Sequence, residues 1–209
     1  MTETETKSQT RRLLITLALK RQRAGSGSAK RFLRERTNRM EFPNLTPLFS
    51  SLSWAVVGAG ATRLYMPERT TNDLDILVSV PDYQQARIQL TQAGATYQGE
   101  PRIGETSWRL PNGFPLDVLE GREDWTETAL HEAQANVSVE GMPVLPLPYL
   151  VLMKFRASRV QDIADITRML GQATPKQLEE VRQLFVQWLP NDQEDLESLV
   201  LLGQLEMQG

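Results

Sequence analysis

From Asn44 onward the chain alternates short apolar runs with turn residues, the punctuation of a compact α/β unit. Trp54-Ala55-Val56-Val57 is expected to be a buried strand ending at Gly58, followed by a short helix over 59–65 and a loop through Met66-Pro67-Glu68. Leu74, Ile76 and Val78 recur at every second position, which predicts a strand over 74–80 with one apolar face. Pro81 suits the start of a helix over 82–93, and Gly94 stops it. Residues 106–110 and 114–119 flank Pro111-Asn112-Gly113, where Asn-Gly predicts a hairpin. A weaker hairpin is expected of 137–139 and 144–145 around Glu140-Gly141.

After Pro146-Leu147-Pro148 the spacing of apolar residues becomes helical and stays so. Helices are expected over 149–158 and 160–170, then from Thr174-Pro175 to Leu189-Pro190, with a last one starting at Asp192. The pattern predicts an α/β chain of the α+β type, a mixed β-sheet with flanking helices over 41–147 and a helical C-terminal lobe over 148–209. No internal repeat is visible.

Charge sets residues 1–40 apart. They hold 11 Lys and Arg against 3 acids, a net +8, whereas residues 41–209 hold 12 against 23, a net −11. Gly25-Ser26-Gly27-Ser28 has the composition of a flexible linker, so residues 1–40 are expected to be a basic flexible tail with at most one fraying helix, outside the core. They read as a solvated arm or as sequence upstream of a start at Met40, ahead of an arm that touches RNA. Arg11-Arg12 and the acid-free stretch 6–34 have the flavour of a targeting signal, but the apolar run 13–19 ends at Lys20 with no small-residue cleavage pattern. That run is also too short to span a membrane.

Composition narrows the chemistry. Among 209 residues there is no Cys and one His, His131, which removes disulfides, thiolate zinc sites, cysteine nucleophiles and His-based triads. A cytoplasmic protein without a membrane partner is expected, its chemistry run by carboxylates, hydroxyls, Lys and Arg.

The carboxylates form a pattern. In a strand over 74–80 the apolar residues face one way, while Asp73 and Asp75 project the other way about 7 Å apart along the strand. Leu116-Asp117-Val118 repeats the alternation, and if its strand lies beside the first, Asp117 reaches the same place. Clustered acids of this kind are costly without a cation, and a pair of divalent ions clamping an in-line phosphoryl transfer is the usual reason for them. Gly58, ending a strand and opening a helix, exposes backbone N–H groups suited to a phosphate. Trp54 and Trp108 read as packing residues.

Gly58-Ala59, a spacer, Asp73-x-Asp75 and the later Asp117 resemble the DNA polymerase β-like nucleotidyltransferase superfamily, whose signature is Gly-Gly or Gly-Ser followed by Asp-x-Asp. Arg69-x-Thr71-x-Asp73-x-Asp75 is most similar to the minimal bacterial branch that includes AbiEii-type toxins, and the resemblance covers residues 52–170. It implies transfer of NMP from an NTP to an RNA, protein or small-molecule acceptor, with two Mg²⁺ or Mn²⁺ ions on Asp73, Asp75 and Asp117. It also implies nucleotide contacts from Gly58, Ala59, Arg69, Thr71 and Lys154, the last toward the triphosphate, and a toxin-antitoxin setting with an antitoxin partner. The other reading of Lys154 is a solvated salt-bridge stripe, since it shares a helical face with Ser158, Asp162 and Asp165 if the helix is continuous. Ala59 departs from the family's Gly or Ser. A catalytically weak nucleotide-binding or interaction module is the alternative.

Overall fold

The computed structural model describes residues 3–21, 41–66 and 69–207. The chain divides into two units, Glu35–Pro146 and Met1–Arg34 with Leu147–Gly209.

The first unit is built on a mixed five-stranded sheet of order β1-β2-β5-β4-β3. Its strands are β1 (Trp54–Val57), β2 (Leu74–Ser79), β3 (Thr96–Arg102), β4 (Glu105–Arg109) and β5 (Pro115–Gly121). Only β2 and β5 run parallel; the other neighbours are antiparallel. The apolar positions read from the alternation form the core: Leu74, Ile76, Val78, Leu116 and Val118 are all 0% exposed. Trp54 packs edge to face on Phe49 with ring centroids 5.5 Å apart, and Trp108 is buried too. Gly58 opens a short helix, α2 (Gly58–Tyr65), and α3 (Val80–Gln92) follows β2.

The hairpin around Asn112-Gly113 is β4 and β5, paired from Arg109 with Pro115 to Glu105 with Leu119. The weaker hairpin around Glu140-Gly141 is a single antiparallel bridge, Val137 opposite Pro143, flanked by Val144 N–H to Asn136 O at 2.8 Å and Ser138 N–H to Met142 O at 2.9 Å, and Val144 also bridges Val56. Pro143 has no N–H, and its pairing with Val137 needs none, since the neighbouring residues give the bonds; the same segment also serves the sheet edge. Val56 N–H donates to Pro143 O at 2.7 Å and Leu145 N–H to Val56 O at 3.0 Å. Two elements lie outside the sequence expectations, β3 and helix α4 (Thr126–Ala133). As an edge strand with both faces largely in water, β3 shows no alternation to read, and its register shifts at Gly99.

The second unit is helical: α5 (Leu147–Ala157), α6 (Val160–Gln172), α7 (Pro175–Trp188), a single 3₁₀ turn at Pro190–Asp192 and α8 (Gln193–Met207). Thr174 caps α7 by accepting from the Gln177 N–H, and Gln177 reaches back to the Thr174 N–H. Phe155 and Phe185 pack edge to face at 4.9 Å. Helices α6 and α8 touch through Gly171 and Gly203, where a Cβ on Gly171 would stand 2.4 Å from the Gly203 carbonyl oxygen.

The N-terminal segment differs from the expected tail. Residues Glu3–Arg21 form helix α1, against α8. Arg11 is 5% exposed and Ile15, one turn on, 4%. The Arg11 guanidinium donates to Asp195 at 3.1 Å, to Ser158 Oγ at 3.1 Å and to Asp192, and lies 3.9 Å from the centre of the Phe155 ring. The basic composition that reads as a solvated arm is here matched by acids more than 180 residues away, at the far end of the chain. Gly25-Ser26-Gly27-Ser28 lies outside the described residues. Among the described residues no helix is long and apolar enough to cross a membrane.

Candidate active site

The parallel pair decides the geometry. Leu74 aligns with Leu116, so Asp75 aligns with Asp117, and both side chains project from the same face of neighbouring strands about 4.8 Å apart at the backbone. Both are half-buried, while Asp73, just before β2, is exposed. Further along the Asp75 face the strand closes over: Leu77 and Ser79 are buried. The acids therefore stand where β2 and β5 begin, at the open end of that face.

Gly58 stands against Asp75. Its φ is +60°, and a Cβ there would lie 1.8 Å from Asp75 Oδ2. Glycine is needed twice over, for the left-handed backbone and for the space the carboxylate fills. Val57, the residue before α2, gives no side-chain cap, and the first-turn N–H groups have no intrahelical acceptor, an arrangement suited to an anion. Ala59 supplies backbone there, and its carbonyl accepts from Thr62 Oγ1 at 2.7 Å.

The loop before β2 is braced internally. Arg69 N–H donates to Met66 O at 3.1 Å and its Nη1 to Thr70 O at 3.1 Å. Thr71 Oγ1 donates to Asp73 Oδ1. Asp117 has a hydroxyl donor as well, Ser107 Oγ to Oδ1 at 2.6 Å. Sequence reading passed over Ser107, although a signal existed. A hairpin centred on Asn112 sets Ser107 opposite Asp117, as the register of β4 and β5 does.

The third acid is the looser member. Among the described residues no three His, Asp, Glu or Cys side chains converge into a ready metal cluster. Asp75 and Asp117 are adjacent in register, and Asp73 leans toward Thr71. The donor set is nonetheless all oxygen and anionic, which fits a hard divalent cation such as Mg²⁺ or Mn²⁺. The space over Gly58, which a Cβ would fill, keeps Asp75 at the mouth of the site.

Lys154 belongs to the helical unit. It is 6% exposed, and its ammonium donates to Asp165 at 2.9 Å and Asp162 at 3.2 Å, both 1% exposed. Arg159 adds a second cation on Asp162 at 2.7 Å, and Gln161 donates to Asp165 at 2.8 Å.

A cavity of about 180 Å³ lies elsewhere in the sheet unit, lined by Phe42, Arg63, Leu64, Glu140 and Met142 among others and by none of the three acids. Burial pushes the Arg63 guanidinium below its ordinary pKa, partly offset by Glu140, and it stacks 4.6 Å from the centre of the Phe42 ring.

No protein-family model matches the chain, and no curated protein does. Among solved structures it is similar to the antibiotic-resistance factor ANT(2'')-Ia, with 13% identity, 84% of this chain and 89% of that one covered, and a TM-score of 0.44. It is also similar to TM1012 of Thermotoga maritima, assigned as a nucleotidyltransferase, at 13% identity over 68% and 91% of the two chains, TM-score 0.39. The CCA-adding enzyme of the same organism, complexed with tRNA, is similar at 14% identity over 83% and 54%, TM-score 0.32. At such identities and scores the meaning of the site rests on its own residues.

Proposed function

We propose that this chain is a divalent-metal-dependent nucleotidyltransferase, moving NMP from an NTP to a hydroxyl or phosphate acceptor. One observation supports it above the others: Asp75 and Asp117 stand side by side on the parallel strands β2 and β5, with the helix-opening turn at Gly58 against Asp75. Two like charges so placed favour a bound cation, and the neighbouring N–H groups favour a phosphate.

In this reading Asp73 and Asp75 hold the ion that accompanies the NTP phosphates, and Asp117 completes a second position or takes the acceptor's proton. When bound, such ions neutralise phosphate charge and steady the attacking and leaving oxygens. The first turn of α2, from Gly58 and Ala59, orients the outer phosphates through backbone N–H groups. Arg69 and Thr71 shape the loop that carries Asp73. Lys154 is read here as the cation of an internal ion-pair cluster, since its ammonium is already taken by two buried carboxylates. RNA, protein and small molecules stay the candidate acceptor classes. The toxin-antitoxin setting with an antitoxin partner, and kinship with the AbiEii-type branch, rest on the Arg69 to Asp75 motif alone.

A nucleotide-binding module without turnover is the second reading. It is favoured by Ala59 at the family's Gly or Ser position and by the lack, among the described residues, of a ready three-acid cluster. Incubation with each labelled NTP, Mg²⁺ and fractions of RNA, protein and small molecules separates the two. Transfer of label with release of pyrophosphate is expected in the wild type, and a loss of roughly 10²–10³-fold in Asp75→Asn. Full transfer by Asp75→Asn would remove the carboxylate mechanism. Nucleotide binding with no transfer to any fraction would favour the module.

A further inference from the structure

We infer that Ser107 is a positioning residue for the divalent-metal site, holding Asp117 in a ligating orientation while leaving its charge available. The inference rests on the proposed metal reading of Asp75 and Asp117 and adds a residue that the Asp-x-Asp pattern does not contain.

Ser107 and Asp117 are direct partners across the antiparallel strands β4 and β5. Side chains on β4 alternate in use. Thr106 and Trp108 are buried on one face, where Thr106 Oγ1 accepts from Trp108 Nε1 at 3.0 Å and from the Tyr83 hydroxyl at 3.4 Å. Ser107 faces the other way, toward Asp117, and its Oγ lies 2.6 Å from Oδ1. That length falls in the range of hydroxyl-to-carboxylate bonds, which are stronger than bonds between neutral groups.

The choice of donor matters chemically. A serine hydroxyl has one proton to give. Spent on Oδ1, it fixes the rotation of the carboxylate and leaves Oδ2 and further lone pairs for a ligand. Being neutral, it does so without cancelling the negative charge that a cation needs. Among the described residues Asp117 and Asp73 make no ion pair with Lys or Arg, and each takes a hydroxyl donor instead, Ser107 or Thr71. Outer groups that orient metal-ligating side chains commonly govern metal affinity by 10- to 100-fold.

The test is Mn²⁺ affinity of the full-length protein without nucleotide, by titration calorimetry or electron paramagnetic resonance, for wild type, Asp117→Asn, Ser107→Ala and Ser107→Thr. Thermal melts of each run alongside. Ser107→Ala should bind Mn²⁺ about tenfold more weakly than wild type with a melting temperature close to it, and Ser107→Thr, which keeps the hydroxyl on a residue suited to a strand, should recover most of the affinity. If wild type and Ser107→Ala bind equally while Asp117→Asn is weakened, the role of Ser107 falls and the metal reading stands. Ser107→Thr as weak as Ser107→Ala also overturns the role of the hydroxyl. No Mn²⁺ binding by the wild type, or Asp117→Asn binding like wild type, overturns the metal reading and the inference with it.

Discussion

Two groups of carboxylates in this protein are treated in opposite ways. In the helical unit Asp162 and Asp165 are almost fully buried, and Lys154 lies within 3.2 Å of both; Asp195 likewise takes the buried guanidinium of Arg11. In the sheet unit Asp75 and Asp117 are half-buried neighbours on one face, and Asp117 is held by a neutral hydroxyl. Acids matched by internal cations are complete as they stand, because removing their charge from water is offset within the fold. Asp117, oriented by a hydroxyl that carries no charge, keeps attraction for a cation from outside. Under the proposed function, the contrast separates structural from functional carboxylates more cleanly than sequence position does.

Opposite responses to charge removal would sharpen this contrast. Lys154→Met should destabilise the protein by about 3–5 kcal/mol, since it removes the buried cation that two buried carboxylates share, with a corresponding fall in denaturation midpoint. Asp75→Asn, the variant that loses most of its transfer under the proposed function, should leave the midpoint unchanged or raise it by relieving repulsion with Asp117. A stable, folded Lys154→Met protein that has lost nucleotide binding would break the comparison and return Lys154 to the triphosphate.

Arg11 tests the same idea at a less buried place. Asp192 and Asp195 keep some access to water, and Arg12 Nε stands 3.5 Å from Asp195 as a partial substitute. Arg11→Met should therefore cost about 1–3 kcal/mol, less than Lys154→Met, and the methionine keeps contact with Phe155. Equal stability with and without Arg11 in chemical denaturation would mean that α1 is the solvated arm its composition suggests.

What the sequence made legible follows from the range of each signal. Alternation along single strands is local, so the core residues of β2 and β5 and the shared face of Asp75 and Asp117 were readable, whereas Asp73 lies ahead of β2 and turns to Thr71. The hairpin at Asn112-Gly113 was readable for the same reason, and its symmetry contained the Ser107 partnership. The edge strand β3, wetted on both faces, had no pattern to detect. Arg11 looks like a surface cation until the chain returns Asp192 and Asp195 to it, a non-local event that composition cannot anticipate. The partners of Lys154, by contrast, Asp162 and Asp165, stand only 8 and 11 residues on and share its helical face in the sequence. Gly58 was noticed for its N–H, yet its tightest constraint is the Asp75 side chain arriving from another strand.

The smallest effect is expected where a matched pair stands in water. Arg182 and Glu197 bridge α7 and α8 in a two-pronged contact, Nε to Oε1 at 2.6 Å and Nη2 to Oε2 at 2.9 Å, with side chains 39% and 51% exposed. The hydrogen bond from Arg182 holds the Glu197 carboxyl below its ordinary value of 4.5, against a smaller opposing effect of burial. A lowered folded pKa means the folded state binds the proton less well than the unfolded one. The pair's contribution is therefore present at neutral pH and is lost as pH falls below 4.5 and through the folded pKa. Solvent screening limits it to a few tenths of a kcal/mol. Glu197→Gln should thus lower stability slightly at pH 7 in low salt. The difference from wild type should vanish in strong acid and shrink at high ionic strength. A loss at pH 7 as large as that of Lys154→Met would show that exposure does not set the worth of an ion pair in this fold.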